Sequence, residues 1–336
     1  MKAVVLVGGF GTRLRPLTLS TPKQMLPVGP VTMFERVIER LGAAGVDEAV
    51  VSLGFRPDAF IDAFPDGECA GVRVRYAIED EPLDTAGAIR FAARSADIDD
   101  TFLVVNGDVL ADVDDAWLVE RHRSLGAEAT IHLTAVDDPS RYGVVALDGD
   151  RVVAFVEKPA PGTAPTNLIN AGTYVFEPSV LDRIAAVGKV SVERDTFPAL
   201  VAAGTLFAVA SDGYWIDAGT PATYLRANLD LIDGTRSNEA AVHPLASIDP
   251  AATVERSVVG EGASIGAGAR VVGSVIMAGA RVGATATVID SVVGAGASIG
   301  DGADVRELSV VGFGTPVAAG DHLAGAVRPE PSDWDI

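Results

Sequence analysis

The chain has 336 residues, a hydrophobic content of 48% and a formal net charge of −20. That hydrophobic content supports a buried core and excludes a disordered chain, and the length suits two domains better than one. The acidity excludes a broad face for nucleic acid or anionic membrane, so a bound phosphate has to be met by local cations, backbone amides or a metal.

No stretch approaches the roughly 20 apolar residues that span a bilayer. Residues 2–7 are a short apolar run that leads into glycines and arginines rather than a cleavage site, and they read as a buried first strand. Residues 32–44 place Met33, Val37, Ile38 and Leu41 at helical spacing. Strands are expected at 49–53, 72–78 and 101–105, and helices at 58–64, 85–94 (with Asp84 as N-cap) and 113–125. This alternation argues for an α/β domain with a mostly parallel sheet and helices on both faces. Runs at 129–136, 143–147, 151–156 and 170–176 crowd several strands together, which makes part of the sheet mixed. A helix at 220–232 leads to a polar stretch at 233–238. The lone Cys69 leaves no internal disulfide, as in a reducing cytoplasm.

Beyond about residue 245 the character changes. Valine recurs at equal intervals at Val254, Val271, Val288 and Val305, with Val259, Ile265, Ile276, Val282, Val293 and Ile299 between them. An aliphatic residue every five or six positions, separated by glycine and alanine, is the pattern of a β-helix whose coils stack one inward side chain per face. The expected layout is a head at 1–235, a linker at 236–247, a solenoid at 248–325 and a tail at 326–336.

The first strand runs into Gly8-Gly9-Phe10-Gly11-Thr12-Arg13-Leu14-Arg15-Pro16, with Thr21-Pro22-Lys23 close behind. Two glycines alone make an ordinary turn. The run is neither a P-loop nor a dinucleotide fingerprint. Three cations on one loop of an acidic chain are another matter, and a triphosphate accounts for them. Asp108 follows the 101–105 strand at its carboxyl end, where functional residues of parallel sheets gather, and Asp217 lies at a turn that opens a helix. Each alone is an ordinary turn residue.

GGFGTRLRPLTLSTPKQMLPVGP resembles the signature of the sugar nucleotidyltransferase family. The resemblance implies a Rossmann-like, mostly parallel mixed sheet followed by a hexapeptide-repeat, left-handed parallel β-helix. It implies that Gly8, Gly9, Gly11 and Thr12 wrap the triphosphate, that Arg13 stabilises charge on the reacting phosphates, and that Lys23 contacts phosphate. Asp108 and Asp217 resemble the family's two metal aspartates, which hold Mg²⁺; with Arg13 and Lys23 they form the expected catalytic set. Arg141-Tyr142-Gly143-Val144-Val145, Glu157-Lys158-Pro159 and Asn170-Ala171-Gly172 resemble its sugar-phosphate stretch, with Gly143, Glu157, Lys158 and Asn170 as contacts. Leu83-Asp84-Thr85-Ala86-Gly87 departs from the family's Leu-Gly-Thr-Ala-Gly beside the base, where Thr85 and Gly87 are expected nucleotide contacts. Asp84 could cap the helix, bond a donor edge such as that of guanine, or block the base.

The resemblance implies transfer of a nucleotidyl group from a nucleoside triphosphate to a hexose 1-phosphate. GTP with mannose 1-phosphate, giving GDP-mannose, is the leading pair. Transfer from dTTP or UTP to glucose 1-phosphate is the alternative, towards which Gln24 leans. A silent sugar-nucleotide sensor is an alternative of another class. A second, acyltransferase activity is not expected, because the only histidines near the repeats, His243 and His322, flank them. A cytoplasmic homo-oligomer assembled through the solenoid completes the expectation.

Overall fold

The structure, a computed structural model, describes residues 1–54 and 56–334. Its contacts divide the chain into two compact units, one of Met1–Gly9 with Phe34–Trp215 and one of Phe10–Met33 with Ile216–Ile336. The chain therefore passes from one unit to the other within the glycine-rich motif itself.

The first unit is built on a ten-stranded mixed sheet, ordered Gly143–Asp148, Arg151–Glu157, Leu206–Ala210, Ala129–Ala135, Leu168–Phe176, Phe102–Asn106, Lys2–Leu6, Glu48–Leu53, Val72–Ile78 and Glu68–Cys69. Lys2–Leu6 lies between Glu48–Leu53 and Phe102–Asn106 and is parallel to both. Its inner residues Ala3, Val4 and Val5 are fully buried, as a strand covered on both faces requires. The direction reverses at Leu168–Phe176, which is antiparallel to Phe102–Asn106 and to Ala129–Ala135. Parallel pairing brings the carboxyl ends of four strands to one edge, where Gly8, Gly54, Glu79 and Asp108 follow. On one side of the sheet Phe102, Tyr174, Phe176 and Phe197 form an aromatic core with ring centroids 5.3–6.4 Å apart.

The helices follow their sequence signals. Asp115–Leu125 begins at Asp114, whose carboxylate accepts from Trp117 N, and ends at left-handed Gly126. Asp115 itself is buried. Arg40 Nε lies 3.2 Å from its Oδ2 without hydrogen-bond geometry, and burial pushes the carboxyl up to about 6 against the opposing pull of Arg40. Among the described residues, no helix is long and apolar enough to cross a membrane.

The second unit contains the β-helix, as the valine spacing predicts. Three parallel sheets of five strands each stack from Ser247–Ile248 to Val327–Arg328. Val271, Val288 and Val305 pair in register on one face and are fully buried, with the alanines Ala263, Ala280, Ala286 and Ala297 at the crowded corners. One corner carries a serine ladder. Ser257, Ser274, Ser291 and Ser309 are all but inaccessible, and each hydroxyl donates to a carbonyl two or three residues back. Ser257 Oγ then accepts from Ser274 N at 3.0 Å, and Ser274 Oγ from Ser291 N at 3.1 Å. The ladder satisfies amides that a tight corner would leave unpaired.

The third face differs from the other two. Its strands are the doublets Val258–Val259, Val275–Ile276, Val292–Val293 and Val310–Val311, and both residues of every doublet are buried. Arg281 and Arg270, at outward positions of the other faces, are exposed. A cavity of about 250 Å³ is lined by this face at Val258, Val259, Val275 and Ile276 and by Pro27, Gly29 and Pro30. The tail also belongs here. Val327–Arg328 pairs with Val310–Val311 as the last strand, and Pro331–Asp333 forms a single turn beyond it.

Two outcomes follow. Ser274→Ala removes the acceptor of Ser291 N at a fully buried corner, and should destabilise the solenoid by about 1–3 kcal/mol, read from its urea midpoint against Ser264→Ala as an outward control. His132 is buried with Nε2 2.7 Å from Ser211 Oγ, and burial pushes its pKa down to about 4. The unfolded chain binds that proton first, so the stability is complete above the ordinary histidine value and is lost as pH falls towards 4. Between pH 7 and 5 the loss should be about 2 kcal/mol, and His132→Gln should flatten that part of a calorimetric pH series.

Candidate active site

Glycine has different reasons along the first loop. Gly8 and Gly9 are exposed, and a Cβ on either would meet nothing within 4 Å, so the strand ends in open space with its amides uncovered. Gly9 has φ +99°, and Gly11 has φ +58° with Thr18 Cγ2 3.1 Å and Lys23 Cβ 3.3 Å from where a side chain would begin. Thr18 Oγ1 donates to Gly11 O at 2.7 Å. Thr12–Leu14 then makes one turn that buries Leu14 and leaves Thr12 and Arg13 exposed. Lys23 opens the next turn, Lys23–Met25.

Arg13 Nη2 lies 4.0 Å from Asp217 Oδ2, and Asp217 Oδ1 accepts from Gly219 N at 2.9 Å. A Cβ on Gly219 would come within 2.9 Å of Arg13 Nη2 and 2.7 Å of Asp217 Oδ1. Gly219 is thus what lets the arginine pass, a role that the sequence motif Trp215-Ile216-Asp217-Ala218-Gly219 does not announce. The 310 and α-helical turns of this unit are otherwise conventional. Thr220 caps Pro221–Leu229 in a reciprocal capping box with Thr223.

In the sheet unit, Asp108 follows Phe102–Asn106, and Gly107 N donates back to Leu6 O at 2.9 Å, so the aspartate stands beside the end of the first strand. Next along that edge is Glu79, which sequence reading missed. Its carboxylate accepts from Ser52 Oγ at 2.7 Å and from Leu83 N at 3.0 Å. The second of these bonds holds the segment Leu83–Gly87. Asp84 has φ +61°, a left-handed backbone that glycine supplies in the family pattern and that aspartate tolerates. It is the first residue of the helix Asp84–Ser95 rather than its N-cap, and its Oδ1 accepts from the adjacent Thr85 N at 2.8 Å. Thr85 Oγ1 donates to Glu193 Oε2 at 2.9 Å and accepts from Val192 N at 2.8 Å. A Cβ on Gly87 would strike Leu83 and approach Gly188 O, while the Ala86 and Gly87 amides both reach Val190 O. Thr85 and Gly87 are therefore engaged in fixing this segment against residues 188–193.

Gly143 pairs with Glu157 and Val144 with Ile169, which brings residues 141–145, 157–159 and 170–172 close together. Gly143 is buried against the ring of Phe155, with Glu157 Oε2 3.1 Å from its Cβ position, so no side chain fits there. Lys158 Nζ lies 2.9 Å from Glu157 Oε1, and Lys158 holds φ +48°, a strained conformation for a non-glycine residue. Tyr142 stacks edge-on against Trp215 at 5.5 Å, and Trp215 Nε1 donates to Ala171 O at 2.9 Å. Asn170 Nδ2 donates to Tyr174 Oη at 2.9 Å, while its Oδ1 accepts from Gly172 N at 3.0 Å. The fully buried Tyr174 hydroxyl has its pKa pushed up, first by burial and then by the carboxylates of Glu193, Glu157 and Asp108. Three acids from separate segments thus bear on one phenol. Glu193 is the second residue that the sequence reading missed. It lies on the π-helical turn Val192–Thr196, whose short polar sequence has no helical period.

Among the described residues, no group of three or more His, Cys, Asp or Glu side chains forms a ready-made metal cage.

The chain matches the nucleotidyl transferase family model over residues 2–234 and the GMPPB C-terminal domain model over residues 236–327. It is 43% identical over 273 residues to a mannose-1-phosphate guanylyltransferase of Mycobacterium tuberculosis, covering 78% of this chain and 75% of that one. Among solved structures it resembles a putative glucose-1-phosphate thymidylyltransferase from Bacillus anthracis, with a TM-score of 0.63 and 26% identity over 69% of this chain and 96% of that one. HddC from Yersinia pseudotuberculosis complexed with GMP-PN matches with a TM-score of 0.58 and 32% identity, covering 68% and 97%. A family model spanning most of the chain and a relative this similar lead to one conclusion: the chain belongs to the nucleotidyl transferase family and is a sugar-1-phosphate nucleotidyltransferase.

Proposed function

We propose that the protein transfers a guanylyl group from GTP to mannose 1-phosphate, giving GDP-mannose and pyrophosphate. The observation that carries this choice is the pairing of the two family models in one chain with 43% identity to a mannose-1-phosphate guanylyltransferase. In this reading a phosphate oxygen of mannose 1-phosphate attacks the α-phosphorus of GTP, a new P–O bond forms, and the bond to the β-phosphate oxygen breaks to release pyrophosphate. The nucleophile is already an anion, so no general base and no covalent enzyme intermediate are needed. The work is positioning and charge neutralisation.

Gly8, Gly9, Gly11 and Thr12 offer backbone amides to the triphosphate, with Arg13 and Lys23 as its cations. The segment at Thr85 and Gly87 adjoins the base through its backbone. Gly143 admits the hexose, Glu157 and Asn170 accept or donate to its hydroxyls, and Lys158 holds the sugar phosphate. Asp108 and Asp217 are Mg²⁺ ligands in this reading, and the ion would screen the repulsion between the two phosphates. The same reading includes a cytoplasmic location and assembly through the solenoid, at whose first coil Leu245 is 66% exposed.

The test is pyrophosphate release measured with mannose 1-phosphate and glucose 1-phosphate against GTP, dTTP and UTP. GTP with mannose 1-phosphate should be the preferred pair by kcat/KM; preference for dTTP or UTP with glucose 1-phosphate would replace this reading by its thymidylyl or uridylyl counterpart. Asp108→Asn and Asp217→Asn should each fold, by circular dichroism, and lose on the order of 10²–10³ in kcat. Wild-type turnover in either removes that residue from the metal. Asp84 turns its carboxylate to its own helix, so Asp84→Gly should change the preference between GTP and dTTP by less than about threefold, under 1 kcal/mol.

A further inference from the structure

We propose that the last coil of the solenoid and the tail beyond it form a strap that positions the phosphate loop, with Trp334 as its positioning residue. The strap holds the loop at two consecutive residues. Pro16 is buried, and its Cβ and Cγ lie 3.1 Å and 3.3 Å from where a side chain on Gly312 would begin. Gly312 is in turn tied to the last strand, since Gly312 N donates to Arg328 O at 2.6 Å. A larger residue at 312 would press on Pro16 and on the Arg328 carbonyl together, so this glycine is explained by the loop it receives.

The second hold is on Arg15. The chain leaves the last strand at Arg328, turns at Pro331–Asp333, and brings the Trp334 ring to 5.9 Å from the Arg15 guanidinium carbon. The indole Nε1 donates to Pro329 O at 3.1 Å, which fixes how the ring faces the cation. Arg15 Nε is buried and has no hydrogen-bond partner among the described residues. With that nitrogen unmatched, the aromatic face is the neighbour that stabilises the charge.

Both holds reach the reacting end through very few bonds. Arg15 N donates to Thr12 O at 3.3 Å, Leu17 N to Leu14 O at 3.0 Å, and Thr18 Oγ1 to Gly11 O at 2.7 Å. Arg13 and Arg15 flank the fully buried Leu14, so a shift of Arg15 is a shift of Arg13. The solenoid therefore acts on nucleotide affinity through its C-terminal end, separately from any part it has in assembly.

The kinetic half of this inference rests on the nucleotidyl-transfer reading above; the structural half does not. Trp334→Ala and Trp334→Phe are compared with wild type in the full-length protein, by amide hydrogen exchange and by steady-state kinetics with GTP and mannose 1-phosphate. The expected result is faster exchange across residues 10–26 in Trp334→Ala. The KM for GTP should rise by about fivefold and kcat change by less than about twofold, as loss of a ground-state binding contact requires. Trp334→Phe, which keeps an aromatic face, should recover most of both. Unchanged exchange at 10–26 overturns the strap. So does faster exchange confined to 310–328, which would make the tail a cap of the solenoid, and so does faster loop exchange with an unaltered KM. If the wild-type protein releases no pyrophosphate from any substrate pair, the nucleotidyl-transfer reading fails by itself and loop exchange alone decides the strap.

Discussion

A triphosphate brings several negative charges to a chain that already carries −20, and repulsion on that scale has to be overcome within a few ångströms. In the guanylyl-transfer reading two local means would serve. One is backbone left uncovered by Gly8 and Gly9. The other is a small set of cations held beside carboxylates: Arg13 at 4.0 Å from Asp217, and Lys158 at 2.9 Å from Glu157. Both cations are more than half exposed, so these pairings are weak and exchange partners at little cost. Within the guanylyl-transfer reading that weakness is useful, because a carboxylate claimed by a metal releases its arginine to a phosphate.

The same loop explains why the solenoid has one face unlike the others. A freestanding β-helix needs aliphatic residues only at its inward positions, and polar or small residues suffice outside. Here one face carries doublets of aliphatics whose outward members, Val258, Val275, Val292 and Val310, are at most 7% exposed. Such a face has to be covered, and at Val258 and Val275 the residues bordering it are Pro27, Gly29 and Pro30 of the arm that follows the glycines. The arm is rich in proline and short turns and has no sheet of its own beyond the hairpin Pro27–Val28 with Val31–Thr32, so it takes its order from what it packs on.

The sequence made the solenoid legible because its period is rigid: one coil repeats the chemistry of the last, and Val271, Val288 and Val305 align without error. The parallel core of the sheet was legible for a related reason, its strands being continuous apolar runs bounded by glycine or acidic turns. The Val-Val doublets carried a signal that went unread, since alternation alone does not reveal a covered outer face. Leu206–Ala210 and the helix Phe197–Ala203 were missed because residues 197–210 form one apolar stretch, broken by a glycine, with no period that separates helix from strand. Asp84 was read as a cap because aspartate before a helix usually is one. Its left-handed backbone is a property of the turn, and only a family pattern with glycine at that place hints at it. Glu79 and Glu193 escaped because nothing local marks them. Their partners, Ser52 and Leu83 for one and Thr85 for the other, are set by the fold.

Hydrogen bonds anchor the segments at Thr85 and at Asn170, each on its own partner. Thr85 joins the base segment to Glu193 and to Val192 N. Ser191 Oγ donates to the same Glu193 oxygen at 2.8 Å, so the carboxylate is fixed from two sides. On another strand the buried Tyr174 hydroxyl accepts from Asn170 Nδ2, while the Asn170 carbonyl oxygen receives Gly172 N. A hydrogen-bonded polar group away from solvent is stiff, because losing its partner leaves it unpaired at the cost of its desolvation. Thr85 and Asn170 are eighty-five positions apart in sequence and belong to segments that touch different parts of the substrates in the proposed reaction. Each is anchored on the unit beneath it, Thr85 through Glu193 and Asn170 through Tyr174, so in the guanylyl-transfer reading the distance between base and sugar contacts is set by two held segments rather than by free loops. In-line attack has little tolerance for error in that distance.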